Sequence, residues 1–163
     1  MSHDTALRDS FARLVESYAA PLRRLCAVYA TDPADREDLF QDICLAIWRG
    51  LPAFRGEASE RTWLYRIAHN VALTWQTRSR RRGSHEAPLD GDVSTGEPSG
   101  LRQLALRQAI ASLPAADRTL TLLWLEGLTA AGIEAVTGIK APTVAVRLSR
   151  IRKALATREV KHA

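Results

Sequence analysis

A chain of 163 residues, of which 46% are hydrophobic, is long enough to bury the core of one ordinary domain or two small ones. Aromatic residues make up only 6%, and Leu, Ala and Arg dominate over β-branched residues, which favours helices and argues against an all-β fold. The net charge is +5. Since the sequence has no apolar run near the roughly 18 residues of a membrane span and no secretory signal at its start, we expect a cytoplasmic protein.

The sequence contains none of the patterns that would supply catalytic chemistry. Cys26 and Cys44 lie far apart within apolar helical patterns, without a Cys-x-x-Cys pair or a histidine at ligand spacing, so we expect free thiols. A Gly-rich phosphate loop, a Gly-x-Ser-x-Gly elbow and a His-Glu-x-x-His motif are all missing. We therefore expect a non-enzyme that uses no metal and no cofactor.

Charge is distributed in four blocks along the chain. Basic and acidic residues number 6 and 8 in residues 1–50, 7 and 2 in 51–82, 0 and 4 in 83–100, and 10 and 4 in 101–163. Two basic blocks separated by an acidic one predict two phosphate-facing surfaces on separate bodies. A single basic block, by contrast, is usually a solvated face.

The first predicted helices lie within residues 1–50. Apolar residues recur at three- and four-residue steps from Phe11 to Tyr29, and Pro21 is expected to kink that helix or divide it in two. Asp32 followed by Pro33 is typical of a capped helix start, and the helix that begins there is expected to end at the sequence Gly-Leu-Pro of residues 50–52.

A long third helix is predicted after the loop of residues 53–58, with Ser59 as its cap. The side chains expected to point inward are Trp63, Leu64, Ile67, Ala68, Val71, Ala72 and Trp75. The helix runs into a basic segment at residues 78–82. These patterns together predict a bundle of three or four helices.

Residues 83–100 have the composition of a flexible linker, rich in Gly, Ser and Pro and with little to bury. Beyond it, helices are predicted over 101–113 and 115–125, followed by a short helix capped by Thr129, a tight turn at Gly138 and a final helix over 142–156. A short helix, a Gly-containing turn and a longer helix indicate a helix-turn-helix, although a plain helical hairpin remains an alternative. The residues expected on its DNA-facing side are Lys140, Thr143, Arg147 and Arg150.

Two long stretches carry a resemblance to a known family. The first is DREDLFQDICLAIWRGLPAFRGEASERTWLYRIAHNVAL, and the second is LPAADRTLTLLWLEGLTAAGIEAVTGIKAPTVAVRLSRIRKAL. They resemble regions 2 and 4 of the extracytoplasmic-function (ECF) sigma factors, the smallest members of the sigma-70 family of bacterial RNA polymerase. The resemblance implies an all-α protein of two small helical domains, with region 2 in residues 1–82, a linker in 83–100 and region 4 in 101–163.

The family resemblance implies a function in transcription initiation. The partners would be core RNA polymerase, through its clamp and flap, promoter DNA and an anti-sigma factor, with no small-molecule substrate. The residues that match the clamp-binding face are Asp38, Leu39, Gln41, Asp42 and Ile43. Those that match the segment holding a flipped base of the minus-ten element are Arg55, Ser59, Trp63, Arg66, His69 and Asn70. The DNA-facing residues of the final helix would contact the minus-thirty-five element.

Plainer interpretations stay open for several of these residues. Asp38 and Asp42 can simply solvate an outer helix face, and the periodicity of the sequence favours Trp63 as a core residue. In the final helix, Ala145 and Val146 stand where the family commonly has a Lys-Ser pair, which predicts weaker binding of the minus-thirty-five element.

Two other functions are compatible with parts of the sequence. An autonomous helix-turn-helix regulator would bind an operator without polymerase, but it has no need of a clamp-binding helix or a base-capture loop. An interaction module that sequesters another regulator would leave the two basic blocks unexplained.

Overall fold

A computed structural model describes residues 3–83, 106 and 108–161 of the chain. The regular structure of these residues is helical, and the contacts separate the chain into two compact units, Met1–Pro88 (unit 1) and Leu89–Ala163 (unit 2). The expected all-α fold of two small helical domains is confirmed. The predicted linker lies, except for Gly83, outside the described residues, as does the start of the helix predicted at 101–113. None of the described helices has the length and apolar character needed to cross a membrane.

The described residues of unit 1 form three α-helices, α1 (His3–Tyr29), α2 (Pro33–Gly50) and α3 (Glu60–Arg81), with a 3-10 turn, Leu51–Ala53, after α2. Both predicted caps are confirmed. The Asp32 carboxylate accepts a hydrogen bond from the Ala34 amide at 2.7 Å, and Ser59 Oγ accepts one from the Thr62 amide at 3.1 Å. Because each cap satisfies an amide that the helix itself leaves unpaired, these positions fix where α2 and α3 begin.

Helix α1 runs without interruption through Pro21, so the division that the sequence allowed does not occur. Proline removes one helical hydrogen bond and costs about 3 kcal/mol in a helix interior. The burial of Leu14, Leu22 and Leu25, each at most 2% exposed, supports the helix on both sides of the proline. Fully burying a leucine contributes about 1.5 to 3 kcal/mol, so these three residues outweigh the local cost.

The core of unit 1 forms where the apolar faces of its three helices meet. Helix α2 contributes Leu39, Ile43 and Ile47, all with no exposed surface, and α3 contributes Leu64 and Ala68. Ion pairs at the rim join α1 to its neighbours, from Arg23 to Glu37 of α2 and from Arg13 to Glu60 of α3.

In unit 2, helical residues at 106 and 108–111 precede α4 (Ala115–Leu125), α5 (Ala130–Thr137) and α6 (Ala141–Lys161). The predicted cap at Thr129 is confirmed by its bond from the Gly132 amide at 3.1 Å. Gly138 has a φ of 76°, the left-handed conformation in which a side chain is disfavoured, and it makes the tight turn between α5 and α6. Leu120, Ile133 and Val144, one from each helix, form the fully buried centre.

Candidate functional site

The exposed side of α2 carries a polar face with one apolar member. Asp38, Gln41, Asp42 and Leu45 are all exposed. Asp38 lies three and four residues before Gln41 and Asp42, and Leu45 lies four and three residues after them, so the four share one side of the helix. We call these four residues the α2 face. Leu45 is 45% exposed, although it was not among the residues predicted to bind a partner.

Two residues predicted for this surface, Leu39 and Ile43, lie elsewhere. Both are 0% exposed and belong to the core of unit 1. They present no surface to a partner in this structure, and their contribution is to hold the α2 face in place. The spacing of Leu45 relative to Asp38 and Asp42 was the signal that would have found it.

An aromatic pair packs beneath the loop of residues 53–58, on the side that faces the core of unit 1. The rings of Phe54 and Trp63 have centroids 4.6 Å apart, and Trp63 is only 8% exposed. A Cβ atom on Gly50 would come within 3.3 Å of the Trp63 ring, so α2 approaches the indole closely. Trp63 is therefore a core residue, as the periodicity favoured, and it supports the loop instead of offering a free ring for stacking.

His69, another predicted minus-ten residue, is also buried, at 8% exposure. Its Nδ1 lies 2.8 Å from the Tyr29 hydroxyl, which joins α3 to the end of α1. Burial lowers the pKa of His69, so the imidazole is neutral at physiological pH. The residue positions α3 and is not exposed to a nucleic-acid strand.

Four of the predicted minus-ten residues remain accessible: Arg55, Ser59, Arg66 and Asn70. Arg66 and Asn70 are four residues apart and share one side of α3 with Leu73, which is 43% exposed. We call Arg66, Asn70 and Leu73 the α3 face.

The start of α3 is held by Arg13 of α1, whose two terminal nitrogens donate hydrogen bonds to the two carboxylate oxygens of Glu60 at 3.2 and 2.8 Å. The Arg13 guanidinium lowers the pKa of Glu60.

The final helix of unit 2 separates an inward stripe from an outward one. Val144, Leu148 and Ile151 are buried, whereas Thr143, Val146 and Arg150 are exposed on one side. We call Thr143, Val146 and Arg150 the recognition face. Residues 140–153 contain five basic and no acidic side chains, so the surroundings of this face are strongly positive.

Arg147 does not lie free on the outer side of the helix, which corrects the sequence-based expectation. Its Nε donates to Asp117 Oδ1 of α4 at 3.1 Å, and Nη2 donates to the same oxygen. The two side chains are 32% and 23% exposed. At position 147 the side chain lies beside the buried stripe of α6, because it is three residues after Val144 and four before Ile151, both of which are buried. The pair therefore joins α6 to α4.

Glu134 fixes the turn of the helix-turn-helix, a role that the sequence analysis missed. One carboxylate oxygen accepts the Ala141 amide at 2.7 Å and the other accepts Lys140 Nζ at 3.2 Å. The first of these bonds, followed by the second, lowers the pKa of Glu134. The carboxylate thereby accepts a hydrogen bond from an amide that α6 leaves unpaired at its amino terminus, and its negative charge interacts favourably with the helix dipole.

We expect Glu134→Ala to loosen the amino-terminal turn of α6. Because the folded-state pKa of Glu134 is lowered, its stabilising effect is complete above the unfolded-state value of about 4.3 and is lost as pH falls through the folded value. Hydrogen exchange of a peptide that begins before Gly138, and so retains the Ala141 amide, should be faster in the variant at about pH 7, and the difference from wild type should shrink as the pH is lowered to about 3. Equal protection at both values would contradict the role of Glu134, and Glu16→Ala controls for the lost charge.

The remaining features of the described residues are an exposed apolar pair and two free cysteines. Trp124 and Leu125, at the end of α4, are 40% and 53% exposed. Cys26 is buried and Cys44 half-buried, both are free, and burial raises the pKa of Cys26 to about 12. Among the described residues, no three His, Cys, Asp or Glu side chains gather at metal-binding distance.

Known protein families match both units. The family described as Sigma-70 region 2 matches residues 14–82, and the family described as Sigma-70, region 4 matches residues 103–155. The chain is 28% identical to the ECF RNA polymerase sigma factor SigM of Mycobacterium tuberculosis, over 95% of this chain and 80% of that one. It is 30% identical to the RNA polymerase sigma-H factor of Pseudomonas aeruginosa, over 91% of this chain and 85% of the other.

The fold is also similar to a solved structure. The sigma factor RpoE of Bartonella quintana, crystallised with the anti-sigma factor NepR, superposes with a TM-score of 0.71 at 20% identity. The match covers 93% of this chain and 94% of RpoE.

Proposed function

Since this chain belongs to the ECF group of the sigma-70 family of RNA polymerase sigma factors, we propose that its two units divide the work of promoter recognition between them. Unit 1 binds the polymerase clamp and the minus-ten element, and unit 2 binds the minus-thirty-five element and the flap. The observation that carries this proposal is the match of relatives across both units, including region 2 in residues 14–82. An autonomous operator-binding regulator is not supported, because it has no need of region 2.

The α2 face is our candidate for the clamp contact. Its acidic residues, Asp38 and Asp42, are suited to a basic partner and would orient it. Leu45 adds an apolar contact beside them, and an apolar centre with a polar rim is the usual anatomy of a protein interface. In unit 2, the exposed Trp124 and Leu125 are the corresponding candidates for the flap.

The α3 face, together with Arg55 and Ser59, is our candidate for the minus-ten contact. Arg66 and Asn70 offer a cation for phosphate and an amide for a base edge. Trp63 and His69 act through these residues, because one supports the loop and the other ties α3 to α1. Arginines at 78, 80, 81 and 82 extend the positive surface at the end of the helix.

In unit 2, the recognition face and Lys140 are our candidates for the minus-thirty-five contact. Helix α6 is the second helix of the helix-turn-helix, which is the one that enters the major groove. Arg150 is exposed and suited to a bidentate bond with guanine. Arg147 is a positioning residue, since Asp117 holds its guanidinium.

The regulation and organisation of the chain follow from the same assignment. We propose an anti-sigma factor as a partner, because RpoE of Bartonella quintana was crystallised with one. We further propose boundaries at residues 1–82, 83–100 and 101–163 for region 2, linker and region 4, a cytoplasmic location beside the polymerase, and no catalysis by the chain itself.

Run-off transcription with purified core polymerase tests the proposed function. We expect promoter-dependent transcripts only when this chain and core polymerase are both present. Sequence-specific protection of duplex DNA by the chain alone, with no transcripts on adding core polymerase, would instead indicate an operator-binding regulator.

Asn70→Ala should separate promoter opening from promoter binding. Because Asn70 is exposed on the α3 face beside Arg66, we expect binding of holoenzyme to the closed promoter to change little. Permanganate reactivity of unpaired thymines should fall by roughly tenfold, since one base contact is worth about 1 to 3 kcal/mol. Gln76→Ala removes another amide from a different side of α3 and should leave both measurements unchanged. Equal losses in both assays for Asn70→Ala would place the base contact elsewhere.

A further inference from the structure

We propose that Val146 determines specificity in unit 2 by contacting the methyl group of a thymine in the minus-thirty-five element. This inference rests on the proposed function of unit 2 and adds the base that the recognition helix selects. It starts from an anomaly of the surface, because Val146 is 51% exposed in the middle of a strongly basic helix.

Val146 lies on the exposed side of α6, which would face the major groove of DNA, and not on the side that packs into the core of unit 2. It lies three residues after Thr143 and four before Arg150, and all three are exposed on the same side of α6. The opposite side of the helix is filled by Val144, which has no exposed surface. Val146 is also the sixth residue of α6, and the amino-terminal residues of a recognition helix are those that reach base edges.

In the major groove of DNA, only one group on the base edges is suited to contact the side chain of a valine. The edges of bases in the major groove present hydrogen-bond donors and acceptors, which an aliphatic side chain cannot use, and one apolar group, the C5 methyl of thymine. The five basic and zero acidic side chains of residues 140–153 favour nucleic acid over an apolar protein partner for this face.

The tie between Arg147 and Asp117 strengthens this assignment. Since the guanidinium next in sequence is held by α4, it does not cover Val146 or compete with it for the same base pair. The recognition face thus offers a hydroxyl at Thr143, an aliphatic group at Val146 and a guanidinium at Arg150. We expect the element to contain a thymine next to the base pair that Arg150 reads.

The test uses holoenzyme reconstituted from the full chain and core polymerase. A duplex library randomised upstream of the minus-ten element is first selected by wild-type holoenzyme. Each thymine of the selected upstream element is then replaced by deoxyuridine, which removes only the methyl group. At one thymine we expect affinity to fall by about fourfold, the equivalent of about 0.8 kcal/mol for one apolar carbon.

Variants at position 146 show whether that methyl contacts this side chain. Val146→Ser should bind the thymine and deoxyuridine duplexes equally, whereas Val146→Ile should keep the preference for thymine. Because the side chain is half exposed, we expect the variants to fold, and Ala156→Ser on the same helix should behave like wild type. The deoxyuridine series on the wild-type protein does not depend on any variant.

The results that would overturn the inference differ in what else they overturn. If wild-type holoenzyme selects an upstream element but binds thymine and deoxyuridine duplexes equally at every position, or if Val146→Ser keeps the preference for thymine, only the role of Val146 fails. If it selects no upstream element at all, the proposed function of unit 2 fails with it.

Discussion

Reversing the charges of Asp38 and Asp42 together, as Asp38→Lys with Asp42→Lys, is expected to weaken binding of core polymerase by roughly ten- to a hundredfold. The two carboxylates lie on one exposed side of α2, where they would meet a basic surface, and juxtaposing like charges at an interface costs on the order of 1 kcal/mol or more for each pair. Affinity is measured by titrating labelled chain with core polymerase at two salt concentrations, because the effect of charge should shrink at high salt.

A double charge reversal on another helix controls for the change in net charge that Asp38→Lys with Asp42→Lys produces. Asp9→Lys with Glu16→Lys alters the charge by the same amount on exposed positions of α1 and should leave polymerase binding near wild type. Leu45→Ser should also weaken binding without altering charge. Unchanged affinity in the double reversal of Asp38 and Asp42, with the helical content intact, would remove the α2 face from the clamp interface.

The second large effect is expected at Arg150, with a contrasting result at Arg147. Arg150→Ala should lower the affinity of holoenzyme for its promoter by about 1 to 3 kcal/mol and relax the base preference at one position, if the guanidinium reads a guanine bidentately. A phosphate contact would instead lower affinity for all sequences and reduce the salt slope by about one. Competition binding with point-substituted promoters distinguishes these results.

Arg147→Ala should act on the stability of unit 2 and not on base preference. Its guanidinium is bound to Asp117, so Arg147→Ala and Asp117→Ala should each be destabilising by about 1 kcal/mol, and the double variant should lose less than their sum. A double-mutant cycle by urea unfolding measures this coupling. A changed base preference in Arg147→Ala, together with additive effects on stability, would show that the arginine reads DNA after all.

Local sequence determined the elements of this fold with few errors. Asp32, Ser59 and Thr129 cap the helices that they were predicted to cap, and Gly138 adopts the left-handed conformation that its turn requires. These features depend on interactions among residues close in the chain, such as a side chain that accepts an amide two or three residues later. The apolar periodicity likewise indicated the buried faces, because a helix of known pitch places every third or fourth residue on one side.

The family resemblance placed these elements in a sigma factor, yet it assigned several side chains to surfaces on which they do not lie. Leu39 and Ile43 belong to a matched binding segment, but α1 and α3 cover them completely. His69 was grouped with Asn70, its neighbour in sequence, although it points to Tyr29 of another helix. Motif matching assigns a role to a stretch of chain, and only the packing of other helices decides which of its members remain exposed.

Tertiary structure alone decided which arginine of α6 is held by another helix and which is exposed. Arg147 and Arg150 are of the same type, three residues apart on the same helix, and helical spacing assigned both to the outer side. The difference between them comes from Asp117, thirty residues earlier in the chain, which α4 brings to one edge of α6. Glu134 caps α6 in the same way, across a turn that must form before the carboxylate and the amide meet. Neither pair has a periodic signal in the sequence, because the distance between the partners is set by how the helices pack and not by their spacing along the chain.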